Sequence, residues 1–260
     1  MKTVILCGGQ GTRIRDVADN IPKPLIGIGG LPIMWHIMKY YAHWNHQDFV
    51  LCLGYKGNAI KDFFLNYEAH TRDFTLQLGQ KNSAVYHTNH SEVNWRITFA
   101  DTGLESMTGA RVSKIKKYIG DDEDFLLTYG DGVCDVDLNQ LVKFHQSSGK
   151  ILTVTGVRPP GRFGELVANQ SGRVVEFNEK PQATGGRISG GYFVCNRAIF
   201  DYLGSEDALV FEQGPMKALV EDGHLGMYEH DGFWQCMDTY RDWQYLNNLI
   251  EIGKAPWMIW

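Results

Sequence analysis

Apolar residues in this chain come in short blocks whose spacing changes from region to region, and those changes predict its elements. Residues 2–7 form a short, β-branched apolar run, and Gly8-Gly9-Gln10-Gly11 follows at once. A strand that opens onto glycines near the start of a chain is how an α/β nucleotide site commonly begins. Over 32–43, Ile33, Ile37, Tyr40 and Tyr41 share one helical face behind Pro32, which predicts a helix. Residues 48–53 predict a second strand, ended by Gly54, and 57–67 a second helix. This β-α-β-α opening predicts a largely parallel sheet.

Farther along, 74–78, 84–88 and 94–100 read as strands between polar turns. Residues 108–118 read as a basic helix bearing Arg111, Lys114, Lys116 and Lys117, with Lys114 to Lys117 on a solvated face. Phe125-Leu126-Leu127-Thr128-Tyr129 predicts a buried strand that stops at Gly130-Asp131-Gly132, followed by a helix over 137–148 and a strand over 151–157. From residue 158 the pattern changes. A loop at Arg158-Pro159-Pro160-Gly161 leads to a hairpin over 165–169 and 173–178, a strand over 191–195, and helices over 197–203, 209–222 and 239–252. No internal repeat or composition break divides the chain. The expected fold is α/β: one domain with a Rossmann-like, mixed but mostly parallel sheet flanked by helices, the last third forming a substrate lobe on that sheet.

Composition narrows the picture. With 260 residues, 43% hydrophobic and 21% charged, the chain is ordinary globular material with length enough for one large core. A net charge of -5 argues against general nucleic-acid binding. No apolar stretch is long enough to span a bilayer and no cleavable leader opens the chain, so no membrane partner and a cytoplasmic location are expected. Cys7, Cys52, Cys134, Cys195 and Cys236 are odd in number and scattered, which predicts reduced, buried thiols. Nothing among His, Cys and Asp has zinc spacing. His36 reads as a satisfied helix residue, Trp243 and Trp257 as packing residues, and Trp234 stays open because it lies close to Asp238.

The candidate chemistry begins in Gly8-Gly9-Gln10-Gly11-Thr12-Arg13 and Pro22-Lys23-Pro24. Glycines let backbone N–H groups approach a phosphate closely. Arg13 offers a forked contact to phosphate oxygens, and the prolines around Lys23 stiffen the backbone that aims its ammonium. A Walker loop would need Gly-Lys-Ser/Thr after its spacer, and a dinucleotide fingerprint would need a third glycine where Ile14 stands; both are absent. An ordinary tight turn with surface cations is the alternative. Asp131, between two glycines at a strand end, and Asp238, just before a helix, suit magnesium, which takes one or two carboxylates plus substrate phosphates. The alternatives are a turn residue for Asp131 and a helix N-cap for Asp238.

Taken together, these segments resemble sugar-1-phosphate nucleotidyltransferases: Leu6-x-Gly8-Gly9-x-Gly11-Thr12-Arg13, Pro22-Lys23-Pro24, Gly130-Asp131 and Glu179-Lys180-Pro181 stand in that family's order. Trp35-His36-Ile37-Met38, Gly54-Tyr55-Lys56-Gly57, Ser106-Met107-Thr108-Gly109, Phe233-Trp234-Gln235 and Met237-Asp238-Thr239 narrow the likeness to bacterial glucose-1-phosphate cytidylyltransferases, and it runs from residue 1 to 260. The resemblance implies a nucleotide-binding core over 1–157 and a sugar-phosphate lobe with C-terminal helices over 158–260. It implies that Leu6, Gly8, Gly9, Gly11, Thr12, Arg13 and Lys23 hold CTP, with Ser106, Thr108, Arg111 and Gly130 beside base and ribose. Asp131 and Asp238 would hold Mg2+. Gly164, Glu179, Lys180, Ser189, Gly190 and Gly191 would meet the sugar-1-phosphate, and a homo-oligomer, a hexamer in particular, is suggested.

The chain departs from the family pattern at three points. Cys7 replaces alanine, Cys236 replaces a proline before Asp238, and Ser189 replaces asparagine, a shorter reach toward the sugar. The expected reaction is in-line attack of a sugar-phosphate oxygen on the α-phosphorus of CTP, with Arg13, Lys23, Asp131 and Asp238 as the catalytic set. The competing readings are a metal-dependent glycosyltransferase, a non-catalytic nucleotide-sensing subunit, and thymidylyl or uridylyl transfer.

Overall fold

The computed structural model describes residues 1–9, 14, 21–80, 83–159, 165–168, 173–178 and 186–260, with backbone alone for 165–168 and 176–178. Along the chain, β1 (Thr3–Leu6) is followed by the small ribbon β2 (Gly27–Ile28) and β3 (Leu31–Pro32), α1 (Ile33–His43), β4 (Asp48–Leu53), α2 (Gly57–Leu65) and α3 (Tyr67–Thr71). Next come β5 (Phe74–Thr75), β6 (Val85–Tyr86), β7 (Arg96–Asp101), α4 (Thr108–Lys114), α5 (Lys116–Ile119), β8 (Asp124–Tyr129), β9 (Gly132–Cys134), α6 (Leu138–Ser148) and β10 (Leu152–Val157). The last part holds β11 (Glu165–Ala168), β12 (Val174–Asn178), β13 (Ile188–Asn196), a 3-10 turn (Arg197–Tyr202), α7 (Gly214–Glu221), β14 (Leu225–His230), β15 (Trp234–Cys236) and α8 (Tyr240–Glu251).

Seven strands form the central sheet in the order β14-β10-β13-β8-β1-β4-β7. Only β13 runs against its neighbours, antiparallel to both β8 and β10. The sheet is therefore mixed but mostly parallel, as expected, and it draws strands from both ends of the chain. Parallel strands covered on both faces must be apolar on both faces. In β1, Ile5 packs into one core cluster and Val4 and Leu6 into the other; in β8, Leu126 goes one way and Phe125 and Leu127 the other. One layer is built on α1, with Leu138 and Leu141 of α6 and Leu246 of α8; the opposite layer uses Val112, Ile115 and Ile119 with Leu219 of α7. Each such fully buried side chain contributes roughly 1.5–3 kcal/mol.

Several expected elements change length for identifiable reasons. The strands expected over 74–78 and 84–88 shrink to two residues each, because Leu76 and Leu78 are exposed and find no layer to cover them. The basic helix expected over 108–118 breaks at Ile115 into α4 and α5, and Arg111 turns inward and is buried. Lys114 stays exposed, as expected, and its ammonium donates to the Thr102 carbonyl and to Ser106 and Asp207. The helix expected from 209 starts at Gly214, since the residues before it are tied to α4, Gly109 and Ala110 donating to the Leu209 carbonyl. The strand expected from 191 starts at Ile188, and the edge strand β14, with its mixed polar composition, was not signalled at all. All five cysteines are unpaired, with Cys236 alone partly exposed. No helix among the described residues is long and apolar enough to cross a membrane.

Candidate active site

Parallel strands deliver their following loops to one edge of a sheet, and ligands of α/β folds gather there. β1 ends into Gly8, β4 into Gly54, β7 into Thr102 and β8 into Gly130-Asp131. Because β13 runs the other way, its beginning reaches the same edge. Tyr192 pairs with Thr128, so Ser189, Gly190 and Gly191 lie beside and beyond Tyr129. A cavity of about 500 Å³ opens at this edge, and Leu6, Gly8, Gly9, Lys23, Ser106, Thr108, Arg111, Gly130, Asp131 and Asp238 all line it. Of the residues singled out in the sequence, Gly11, Thr12, Arg13, Gly164, Glu179 and Lys180 lie outside the described residues. Ser189, Gly190 and Gly191 flank the cavity without lining it.

Lys23, Asp131 and Asp238 meet at one point. Lys23 opens a single 3-10 turn (Lys23–Leu25) between Pro22 and Pro24, and its ammonium donates to Asp131 Oδ2 and to Asp238 Oδ1 at 2.5 Å each. The two aspartates are 107 positions apart in sequence, and a short ribbon joins them. β9 and β15 pair antiparallel with Gly132 opposite Cys236, and the Met237 N–H donates to the Asp131 carbonyl at 2.8 Å. Asp131 thus precedes one strand of the ribbon and Asp238 follows the other. Burial works against the Lys23 charge, but Asp131 and Asp238 outweigh it and hold the ammonium above its usual pKa. The ammonium stands for the positive charge that two converging carboxylates demand. An all-oxygen pair of this kind fits a hard divalent ion that keeps most of its water shell.

The structure sets aside the N-cap reading of Asp238. Thr239, not Asp238, caps α8: its hydroxyl accepts from the Asp242 N–H, while Asp242 Oδ2 accepts from the Thr239 N–H at 2.8 Å. Asp242 also accepts from the Asp238 N–H at 3.1 Å and from Gln235 Nε2 at 3.0 Å. A capping box therefore fixes the backbone on which Asp238 rides and leaves that carboxylate facing the cavity. Thr-x-x-Asp at 239–242 is the sequence signal for this box. Beside it, Cys236 Sγ lies 3.9 Å from Asp238 Oδ2. Burial, then the Asp238 and Asp131 carboxylates, push this thiol up to about 12, so it stays neutral.

The opposite wall is organised by Arg111. Its guanidinium donates to the carbonyls of Leu53 (3.0 Å), Gly103 (2.8 Å), Gly8 (3.1 Å) and Leu104 (3.4 Å) and to the Thr102 hydroxyl (2.7 Å). A side chain at Gly8 or Gly54 would fall inside that guanidinium, which explains glycine at both positions. Burial pulls the Arg111 pKa below its usual value. Ser106 donates to the Thr102 carbonyl at 2.6 Å and lies within 2.8 Å of Asp207 and of Lys114 Nζ. Thr108 donates to Glu212 at 2.7 Å and accepts from the Phe211 N–H at 2.9 Å.

On the remaining side, Trp234 Nε1 donates to the Gly190 carbonyl at 2.7 Å, tying the start of β13 to the ribbon that carries Asp238. One further cluster, Cys134, Asp135 and His230, has its donor atoms within 4.8 Å of one another. There Asp135 Oδ1 already accepts from the Phe233 N–H at 2.7 Å and lies 2.8 Å from His230 Nε2, so the group pins the ribbon to β14.

The sequence profile of the nucleotidyl transferase family matches residues 2–239. Over 260 residues, covering 100% of both chains, the protein is 47% identical to the glucose-1-phosphate cytidylyltransferase of Salmonella typhi. It is 46% identical, again over 100% of both, to the enzyme of the same name from Salmonella typhimurium. Among solved structures, HddC from Yersinia pseudotuberculosis superposes with a TM-score of 0.69 over 96% of this chain and 99% of that one, at 24% identity, a likeness of fold.

Proposed function

The chain belongs to the nucleotidyl transferase family, and from that premise we propose that it moves the cytidylyl group of CTP onto glucose 1-phosphate and releases pyrophosphate. The reading rests on full-length relatives of that name and on one observation, the convergence of Lys23, Asp131 and Asp238 at the sheet edge. Enzymes of this family generally use divalent metal ions. Asp131 and Asp238 are the residues that would hold Mg2+, which when bound supplies charge neutralisation at the α-phosphate.

The nucleophile is a phosphate oxygen, anionic near neutral pH, so no general base is needed. The work of this chain is alignment and charge stabilisation. Lys23 steadies the phosphates from the floor of the cavity, and Arg13 is assigned to the leaving pyrophosphate. Leu6, Gly8, Gly9, Gly11 and Thr12 cradle the nucleotide. Ser106, Thr108, Arg111 and Gly130 border its base and ribose. Gly164, Glu179, Lys180, Ser189, Gly190 and Gly191 receive the sugar phosphate. Residues 1–157 thereby supply most of the nucleotide side and 158–260 most of the sugar side, within one domain. The protein acts in the cytoplasm on small molecules, without nucleic acid or membrane. It assembles as a homo-oligomer, with the hexamer coming from the family resemblance; the exposed Leu65, Leu78, Val85 and Val93 are apolar surface that a subunit contact would cover.

A matrix of the four nucleoside triphosphates against several sugar 1-phosphates, read by pyrophosphate release, tests the assignment. CTP with glucose 1-phosphate should dominate. Turnover only with another base or another sugar would replace that assignment, and release of a nucleoside diphosphate from a nucleotide sugar would overturn the reaction class.

A further inference from the structure

Tyr129 is the last residue of β8, and it stands between the two sides of the cavity. Its ring packs directly against Gly191, whose φ of +75° leaves no room or conformation for a side chain there. The same ring meets Phe193 edge-on at 5.8 Å. Its hydroxyl donates to Glu212 Oε1, and the other oxygen of that carboxylate accepts from the Thr108 hydroxyl at 2.7 Å. Thr108 opens α4 and lines the cavity, whereas Gly191 lies in the first part of β13, beside Tyr129. Burial first, and then the facing Glu212 carboxylate, hold the Tyr129 phenol well above its usual pKa, so its proton stays in place as a donor. The backbone reinforces the joint, because the Phe211 N–H donates to the Thr108 hydroxyl at 2.9 Å, which leaves that hydroxyl's proton for Glu212.

From this geometry we propose that Glu212 is a positioning residue that sets the separation of the nucleotide wall from the first, sugar-side part of β13. One carboxylate fixes Thr108 on one wall and, through the Tyr129 ring, Gly191 on the other. A bidentate acceptor is what the position requires, since two hydroxyl donors arrive from different elements. Glu212 touches no reacting atom and does not line the cavity; it acts through Tyr129 and Thr108. The proposal rests on the reading of this cavity as the CTP and sugar-phosphate site.

The test is steady-state kinetics of the full chain for Glu212→Ala, Tyr129→Phe and the double variant, with KM for CTP and for glucose 1-phosphate measured separately. Glu212→Ala should raise both KM values together by about tenfold, the effect of about one charge-assisted hydrogen bond, with kcat within about threefold of wild type. Tyr129→Phe, which keeps the ring, should move both in the same direction. The double variant should be no worse than Glu212→Ala alone, because one bridge is removed either way. Unchanged KM values with only a lowered thermal midpoint would make Glu212 a structural pin and overturn the proposal. So would effects of the two substitutions that multiply. Should Glu212→Ala fold poorly, Tyr129→Phe carries the same prediction. Wild-type turnover in the same assay keeps the two readings separate: an inactive wild type refutes the assigned reaction, while an active wild type with an unaltered Glu212→Ala refutes only the bridge.

Discussion

Two cations line one cavity, and their surroundings shift them in opposite directions. Lys23 faces two carboxylates and is held above its usual pKa; Arg111 faces four carbonyls and a hydroxyl, and burial pulls it below. Arg111 is buried and Lys23 half-buried, and the family resemblance assigns both to the nucleotide. Their partners separate them. Carbonyl dipoles satisfy hydrogen bonds without cancelling charge, so Arg111 is committed to holding Gly8, Leu53 and the 102–104 loop in register. The Lys23 pair holds full negative charges that a divalent ion and phosphates can take over. On the proposed reading, carbonyl partners make Arg111 scaffolding, and carboxylate partners make Lys23 part of a site prepared for charge exchange.

Substitutions at three positions would break or sharpen this contrast. The largest effect is expected from Asp131→Asn, which removes one of the two charges that meet at Lys23: kcat should fall by about a thousandfold while the melting profile stays close to wild type. Near-normal magnesium-dependent pyrophosphate release would take Asp131 out of the chemistry. Next comes Arg111→Ala, expected to cost about 3 kcal/mol of stability in a urea titration, because the Gly8, Leu53, Gly103 and Leu104 carbonyls lose the guanidinium they share. Arg111→Lys should recover little, since an ammonium lacks the fork that spans three loops. A stable Arg111→Ala protein with lost turnover would reverse the assignment. Lys23→Ala is the smallest of the three, with turnover down about a hundredfold, or about 2.7 kcal/mol of barrier. It leaves Asp131 and Asp238 facing each other, so its thermal midpoint should rise with added divalent salt more than that of wild type. A loss of stability alone, insensitive to divalent ions, would make Lys23 structural.

Much of the frame was legible before any coordinates. The strands β1, β4 and β8 place apolar side chains on both faces because helices cover both faces of the sheet, and that demand is written as nearly continuous apolar runs. Edge and ribbon pieces were not legible. β14 has only neighbouring strands to recommend it, and β9 with β15 is three residues against three, too short for any periodicity. Yet that ribbon is what brings Asp131 and Asp238 together. Asp242 was within reach of sequence reasoning, through the capping box begun by Thr239. Glu212 was not, since its partners lie 83 and 104 positions away.

By itself the sequence determined which residue types were present and in what order: the glycines after β1, the stiffened lysine, an aspartate at each of two turns, and an alternation that folds them into a mostly parallel sheet. These are consequences of local sterics and of apolar periodicity, which act over a few residues. Tertiary structure alone decided that Lys23, Asp131 and Asp238 share one point, that Arg111 turns inward, and that Glu212 accepts from both Tyr129 and Thr108. Each of those outcomes depends on distances between segments that are remote along the chain, and such distances are set by how the packed layers close, not by any neighbour in sequence.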